Sequence, residues 1–255
     1  MTRLRCLLVC VLAMLGVTDS VVAKGLTDPV LRERQRVLLE SALAALAPQR
    51  PGVPDLYVVG VGGDSTEDVF RNETAYLETL MTQRFGARGR VLTLINHEDS
   101  LDRAPKPLAT LENLRAALAG IGKTMDPEQD VLLLFMTMHG TPQHQLLVQM
   151  PPSYFDLIDP RELRAALDDA GIRNRVLVIS ACYSGGFIFD LKNDDTLILT
   201  AAHRNRPSFG CGADSDATYF GRAWLIEALN ETTDFVAAFD QPGAAEIGRV
   251  GIRAW

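Results

Sequence analysis

What this sequence has little of narrows its class. Four cysteines in 255 residues are too few for a disulfide scaffold. No uncharged apolar run reaches the roughly 18 residues that a membrane-spanning helix needs. Positive charge is not in excess. Lys and Arg number 25 against 32 Asp and Glu, a formal net charge of −7. That balance excludes nucleic acid as the main partner, because phosphate binding needs clustered cations. Charged residues make up 22% and hydrophobic residues 47%, which excludes wholesale disorder and supplies apolar surface for one full core. No internal repeat or low-complexity segment occurs.

Several motifs are present only in part. Gly122-Lys123-Thr124 resembles the end of a phosphate-binding loop, but the upstream glycine position holds Ala117 and the tripeptide follows a helix rather than a strand. Gly60 and Gly62 follow an apolar run as a dinucleotide fingerprint would, yet the third glycine position holds Ser65. His139 and His144 miss the four-residue spacing of a helical zinc motif, and no C-x-x-C occurs. Neither a metal nor an organic cofactor is expected.

The first 23 residues read as an address. Arg3 and Arg5 precede an apolar run from Cys6 to Val17, Asp19 and Ser20 break it, and small residues lead to Ala23. This is the order of a secretory signal peptide, and it predicts a secreted or periplasmic chain starting near Lys24, with no membrane span after cleavage. An uncleaved anchor is the competing reading. Cleavage removes Cys6 and Cys10 and leaves Cys182 and Cys211, which either form one disulfide or include a working thiol.

The remaining chain alternates helix and strand signals. Asp28-Pro29 opens a helix that runs to Leu46, and a Pro-rich connector ends at Pro54. Buried-strand runs start at Leu56, Arg90, Asp130, Arg175 and Thr196, with a short extra strand or hairpin over 144–150. Helical spacing covers 66–85, Thr110–Ile121, a stretch from Asp159-Pro160 to Gly171, and 216–230. Strands apolar on both faces that alternate with helices predict an α/β three-layer sandwich, a mostly parallel sheet with helices on both faces. Ligands on such sheets bind beyond the carboxyl ends of the strands.

Two strand ends carry reactive residues. The run Val131–Met138 ends in His139-Gly140, and the run Val176–Ala181 ends in Cys182. If these strands are parallel neighbours, both side chains reach one rim. A histidine beside a cysteine takes the thiol proton and then protonates a leaving amine. The backbone N–H groups of Gly140 and Cys182 are candidates to face a developing oxyanion. For an isolated pair, a buried structural cysteine and a loop histidine is the ordinary reading.

An apolar strand followed by His-Gly and another followed by Ala-Cys resembles the legumain family of cysteine peptidases, in the clan of caspases, gingipains and separase. Thr200-Ala-Ala202, then Ser208 to Cys211, then Asp214, then Tyr219 to Trp224 follow the same order of blocks, so the likeness covers about 55–235. With its leader, the chain is similar to a bacterial, signal-bearing branch. The resemblance implies a caspase-like fold, a metal-free His139/Cys182 dyad and cleavage of peptide or protein substrates, commonly after asparagine. It also implies substrate-binding roles for Asp214, Ser208 and Arg71. Where the family commonly has Glu-Ala-Cys, this chain has Ser180-Ala181-Cys182, and the family asparagine that orients the histidine falls near Gly63, so no orienting residue is assigned.

The expected organisation is a signal peptide over 1–23, an N-terminal helix and connector over 24–54, a peptidase domain over 55–239 and a tail over 240–255. The expected activity is that of an exported cysteine endopeptidase. A transpeptidase or transamidase of the same family and an inactive binding module are the alternatives.

Overall fold

Strands that are apolar on both faces need a helical layer on each side. In the computed structural model, which describes residues 26–208 and 215–243, that arrangement is found. Helix α1 (Pro29–Ala44) leads to β1 (Leu56–Gly62), α2 (Asp68–Arg84), β2 (Val91–Ile95), α3 (Leu111–Gly122) and β3 (Val131–Thr137). Strands β4 (Leu146–Met150) and β5 (Tyr154–Ile158) form a separate antiparallel hairpin. Then come α4 (Pro160–Asp169), β6 (Arg175–Ser180), α5 (Ile188–Leu191) and β7 (Thr196–Thr200). A π-helix over Gly221–Ala228 precedes α6 (Leu229–Glu231) and α7 (Phe235–Phe239).

Five strands make one parallel sheet in the order β2-β1-β3-β6-β7. Side chains alternate between its faces. Val59, Val61, Leu134, Met136, Leu177 and Ile179 pack under α1, α3, α4 and the hairpin. Val58, Leu133, Phe135, Val178 and Leu199 pack against α2, the π-helix, α6 and α7. The three-layer sandwich expected from the alternation is therefore present. The chain moves outward from β1 to β2, then returns to the other side of β1 to lay down β3. The order thus reverses between β1 and β3, and at such a switch point the strand ends leave a crevice.

Helix starts follow their capping residues. Asp28 accepts from Val30 and Leu31 N–H, and Thr110 accepts from Asn113 N–H. Asp159 and Glu162 close a full capping box on α4. Helix α1 joins the core rather than standing apart. Leu39 is buried, and Gln35 accepts from Leu108 N–H at 2.6 Å. Among the described residues no helix is long and apolar enough to cross a membrane. The leader over 1–23, most of the tail, Cys211 and Asp214 lie outside the described residues.

Candidate active site

The register of β3 against β6 fixes the relation of the two reactive side chains. Thr137 pairs with Ser180, and His139 and Cys182 each follow two residues later. Both lie beyond the carboxyl ends of adjacent parallel strands, with β3 bordering the switch point and β6 next to it. Beyond the ladder the two segments stay in contact. Met138 N–H donates to Ser180 C=O at 3.3 Å, and a Cβ at Gly140 would lie 2.1 Å from the Cys182 carbonyl oxygen. Only glycine permits that approach, which answers why the residue after His139 carries no side chain.

Each side chain is held by its own local structure. After His139 the chain folds back tightly: Thr141 N–H donates to Gln145 C=O, and Leu147 N–H to His139 C=O. After Cys182, Tyr183 takes a left-handed conformation with φ 56°, which turns the strand sharply into the helical turn over Ser184–Phe187. A non-glycine residue there costs on the order of 1 kcal/mol or more. Tyr183 N–H donates to Arg206 C=O and Gly185 N–H to Ala202 C=O, so the loop after β7 is stitched to the cysteine turn. That stitching sets the Ser208 hydroxyl 3.3 Å from Cys182 Sγ. Cys182 is a free, half-buried thiol. Among the described residues the N–H groups of Gly140 and Cys182 donate to no backbone acceptor, whereas those of the residues that follow, Thr141 and Tyr183, do.

Helix α2 supplies what the sequence left unassigned. Glu67 precedes its first turn but makes no capping bond there. Its Oε1 lies 3.0 Å from His139 Nε2 instead. One turn on, the buried Phe70 meets the His139 ring edge-on, with centroids 5.1 Å apart. Glu67 at the N-cap and Phe70 in the first turn thus meet the same imidazole. The contact suits the tautomer in which Nε2–H donates to the carboxylate. The lone pair then sits on Nδ1, where it can accept a proton. Glu67 stands at the carboxyl end of β1, where the rule that singles out His139 and Cys182 would also find it. Applying that rule to Glu67 requires knowing that β1 lies next to β3.

The remaining candidates divide. Ser208 adjoins the thiol. Arg71 lies on α2 next to Phe70, with its guanidinium 3.0 Å from Asp99 and 3.5 Å from Asp68. His97 bridges the same two carboxylates, and Arg103 also reaches Asp99. The Ser180 hydroxyl is buried and lies 3.2 Å from the Thr218 hydroxyl.

The sequence model of the Peptidase C13 family matches residues 111–240, a span that holds both His139 and Cys182. The chain belongs to the peptidase C13 family. Members of the C13 family are cysteine-type peptidases, so this protein is a hydrolase acting on peptide or protein substrates. No curated protein matches the chain. Solved structures similar to it include caspase-1 from Spodoptera frugiperda, at 13% identity and a TM-score of 0.45, with 81% of this chain and 90% of that chain covered. A likeness that distant transfers no site to this C13 peptidase. Glu67 and Phe70 fall before the matched span.

Proposed function

We propose that the protein is an exported cysteine endopeptidase in which Cys182 is the nucleophile and His139 the general base and acid. His139 takes the thiol proton, and the thiolate attacks the carbonyl carbon of the scissile bond. The negative charge that forms on the carbonyl oxygen meets the N–H groups of Gly140 and Cys182. The C–N bond then breaks as His139 returns its proton to the leaving amine, and a thioester remains. Water, deprotonated by the same histidine, hydrolyses the thioester and regenerates the thiol. Glu67 orients the imidazole and balances its charge.

The observation that carries this reading is the β3–β6 register, with Gly140 seated against the Cys182 carbonyl. Cleavage after asparagine is part of the proposal. Ser208 beside the thiol and Asp214, taken from the family resemblance, would offer a donor and an acceptor to a side-chain amide. Arg71 is already ion-paired with Asp99, so selectivity rests on those two and is looser than in legumains. Export rests on the charged, apolar, small-residue order of 1–23.

A peptide library, digested with and without an added amine, tests the activity. Wild type should cleave and the Cys182→Ala and His139→Ala variants should not. Transfer of the acyl group to the amine in place of hydrolysis would assign a transpeptidase. Undiminished cleavage by Cys182→Ala would overturn the dyad. A strong preference for large apolar residues, unchanged by Asp214→Ala, would overturn the asparagine pocket. Mass spectrometry of the exported chain should find a start near Lys24, and a retained Met1 would refute the leader.

A further inference from the structure

One strongly polar group is buried beneath the site and has no part in the chemistry above. Glu73 lies on the same face of α2 as Phe70, in the second turn of the helix, and is fully buried. Thr137 Oγ lies 2.6 Å from its Oε2, and Thr218 N–H donates to its Oε1 at 2.6 Å. The Thr218 hydroxyl accepts from Gly221 N–H at 2.9 Å and lies 3.2 Å from the Ser180 hydroxyl. The first turn of the π-helix closes over the carboxyl group. A Cβ at Gly221 would lie 2.0 Å from Glu73 Oε1, so the niche is shaped to this side chain.

The four residues therefore form one buried chain, Thr137–Glu73–Thr218–Ser180. Its two ends are opposite each other in the β3–β6 register, and each stands two residues before a member of the dyad. We propose that Glu73 is a positioning residue for the His139/Cys182 pair, holding the β3 end through Thr137 and the β6 end through Thr218 and Ser180. The proposal rests on the dyad reading and adds to it a device that sets the spacing of the pair from below.

Burial without a facing cation raises the Glu73 pKa, and the hydrogen bonds from Thr137 and Thr218 offset this only in part. Thr137 Oγ–H donates to one carboxyl oxygen and Thr218 N–H to the other. Glutamine keeps both contacts, with the amide oxygen accepting from Thr218 N–H and the amide N–H donating to Thr137 Oγ once that hydroxyl turns to accept. Leucine fills a similar volume and makes neither, leaving two buried groups without partners.

The experiment compares Glu73→Gln and Glu73→Leu by steady-state kinetics, by the rate at which iodoacetamide labels Cys182, and by thermal melting. The expected result is a kcat for Glu73→Leu lower by about 10–100-fold, with KM within about threefold and slower labelling of Cys182. Glu73→Gln should restore kcat to within about threefold of wild type. A Glu73→Leu protein that melts lower but keeps wild-type kcat and labelling rate when folded would assign Glu73 to stability alone and overturn the proposal. If Glu73→Leu does not fold, Thr137→Val and Thr218→Val remove one arm each, and unchanged kcat and labelling in both would equally overturn it. Labelling of Cys182 needs no peptide cleavage. A failure of the positioning role is thus separable from a failure of the dyad, which Cys182→Ala reads.

Discussion

Replacing Glu67 with alanine should lower kcat/KM by about 5–30-fold without unfolding the protein. A hydrogen bond to a charged partner contributes about 1.5–3 kcal/mol when water is excluded. Here the His139 and Glu67 side chains are 40% and 38% exposed, so water competes for both. Solvent screening reduces the contribution to about 1–2 kcal/mol, and at about 1.4 kcal/mol per tenfold in rate this gives the stated range. Glu67 makes no bond that caps α2, so the melting temperature should change little. Glu67→Gln keeps an oxygen for Nε2–H but not the charge, and its activity should fall between alanine and wild type. The assay is kcat/KM on one peptide for each Glu67 variant, and the rate at which iodoacetamide labels Cys182 for each variant alone and combined with His139→Ala. In the His139→Ala background the loss of Glu67 should slow labelling no further. A Glu67→Ala enzyme within twofold of wild type, or one whose labelling slows by the same factor with or without His139, would refute the assignment.

Three further substitutions read other parts of the site. Gly140→Ala forces a Cβ to within 2.1 Å of the Cys182 carbonyl oxygen, a backbone atom that cannot yield cheaply, so activity should fall at least about 100-fold and melting should drop. A stable, active variant would show that the strand ends do not meet as described. Ser208→Ala removes a hydroxyl 3.3 Å from Cys182 Sγ, worth about 1 kcal/mol to a thiolate, and iodoacetamide labelling at fixed pH should slow by about 3–10-fold. An unchanged rate would remove Ser208 from the thiol's surroundings. Glu73→Gln should change stability in a pH-dependent way. The folded-state pKa of Glu73 is raised, so the wild type carries its full stability below the unfolded value of about 4.3 and loses it as pH rises toward the folded value. Urea titrations should therefore show Glu73→Gln gaining on wild type between pH 4 and neutrality. A difference that stays constant or shrinks over that window would mean that Glu73 is ionised when folded.

Much of the fold is legible in local chemistry. The runs from Leu56, Val131 and Arg175 are apolar on both faces, and Asp28-Pro29, Thr110 and Asp159-Pro160 mark helix starts that the structure uses. Strand β5 was not expected. It carries a buried Asp156 and the exposed Phe155, which blur its apolar pattern, and draws its order from pairing with β4 across a short turn. Helical spacing over 216–230 is real, but the winding over Gly221–Ala228 is a π-helix, a choice made by packing rather than residue type. His139 and Cys182 stand out because each ends a strand whose pattern is visible. Glu67 and Glu73 do not, because their meaning depends on the strand order β2-β1-β3-β6-β7 and on which face α2 covers. Arg71 shows the same limit. Its place in the chain suggests a pocket base, while its partners, Asp99 from the far end of β2 and Asp68 within α2, emerge only on folding.

The central claim is a thioester on Cys182 formed with the help of His139. Rapid quenching of the wild-type enzyme with an activated peptide ester, followed by peptide mapping, tests it directly. The account predicts one acyl adduct, on Cys182, that forms within the first turnover, disappears on further incubation and accumulates far more slowly in His139→Ala. Turnover of the ester with no adduct on Cys182, or an adduct on another residue that persists in Cys182→Ala, would contradict it.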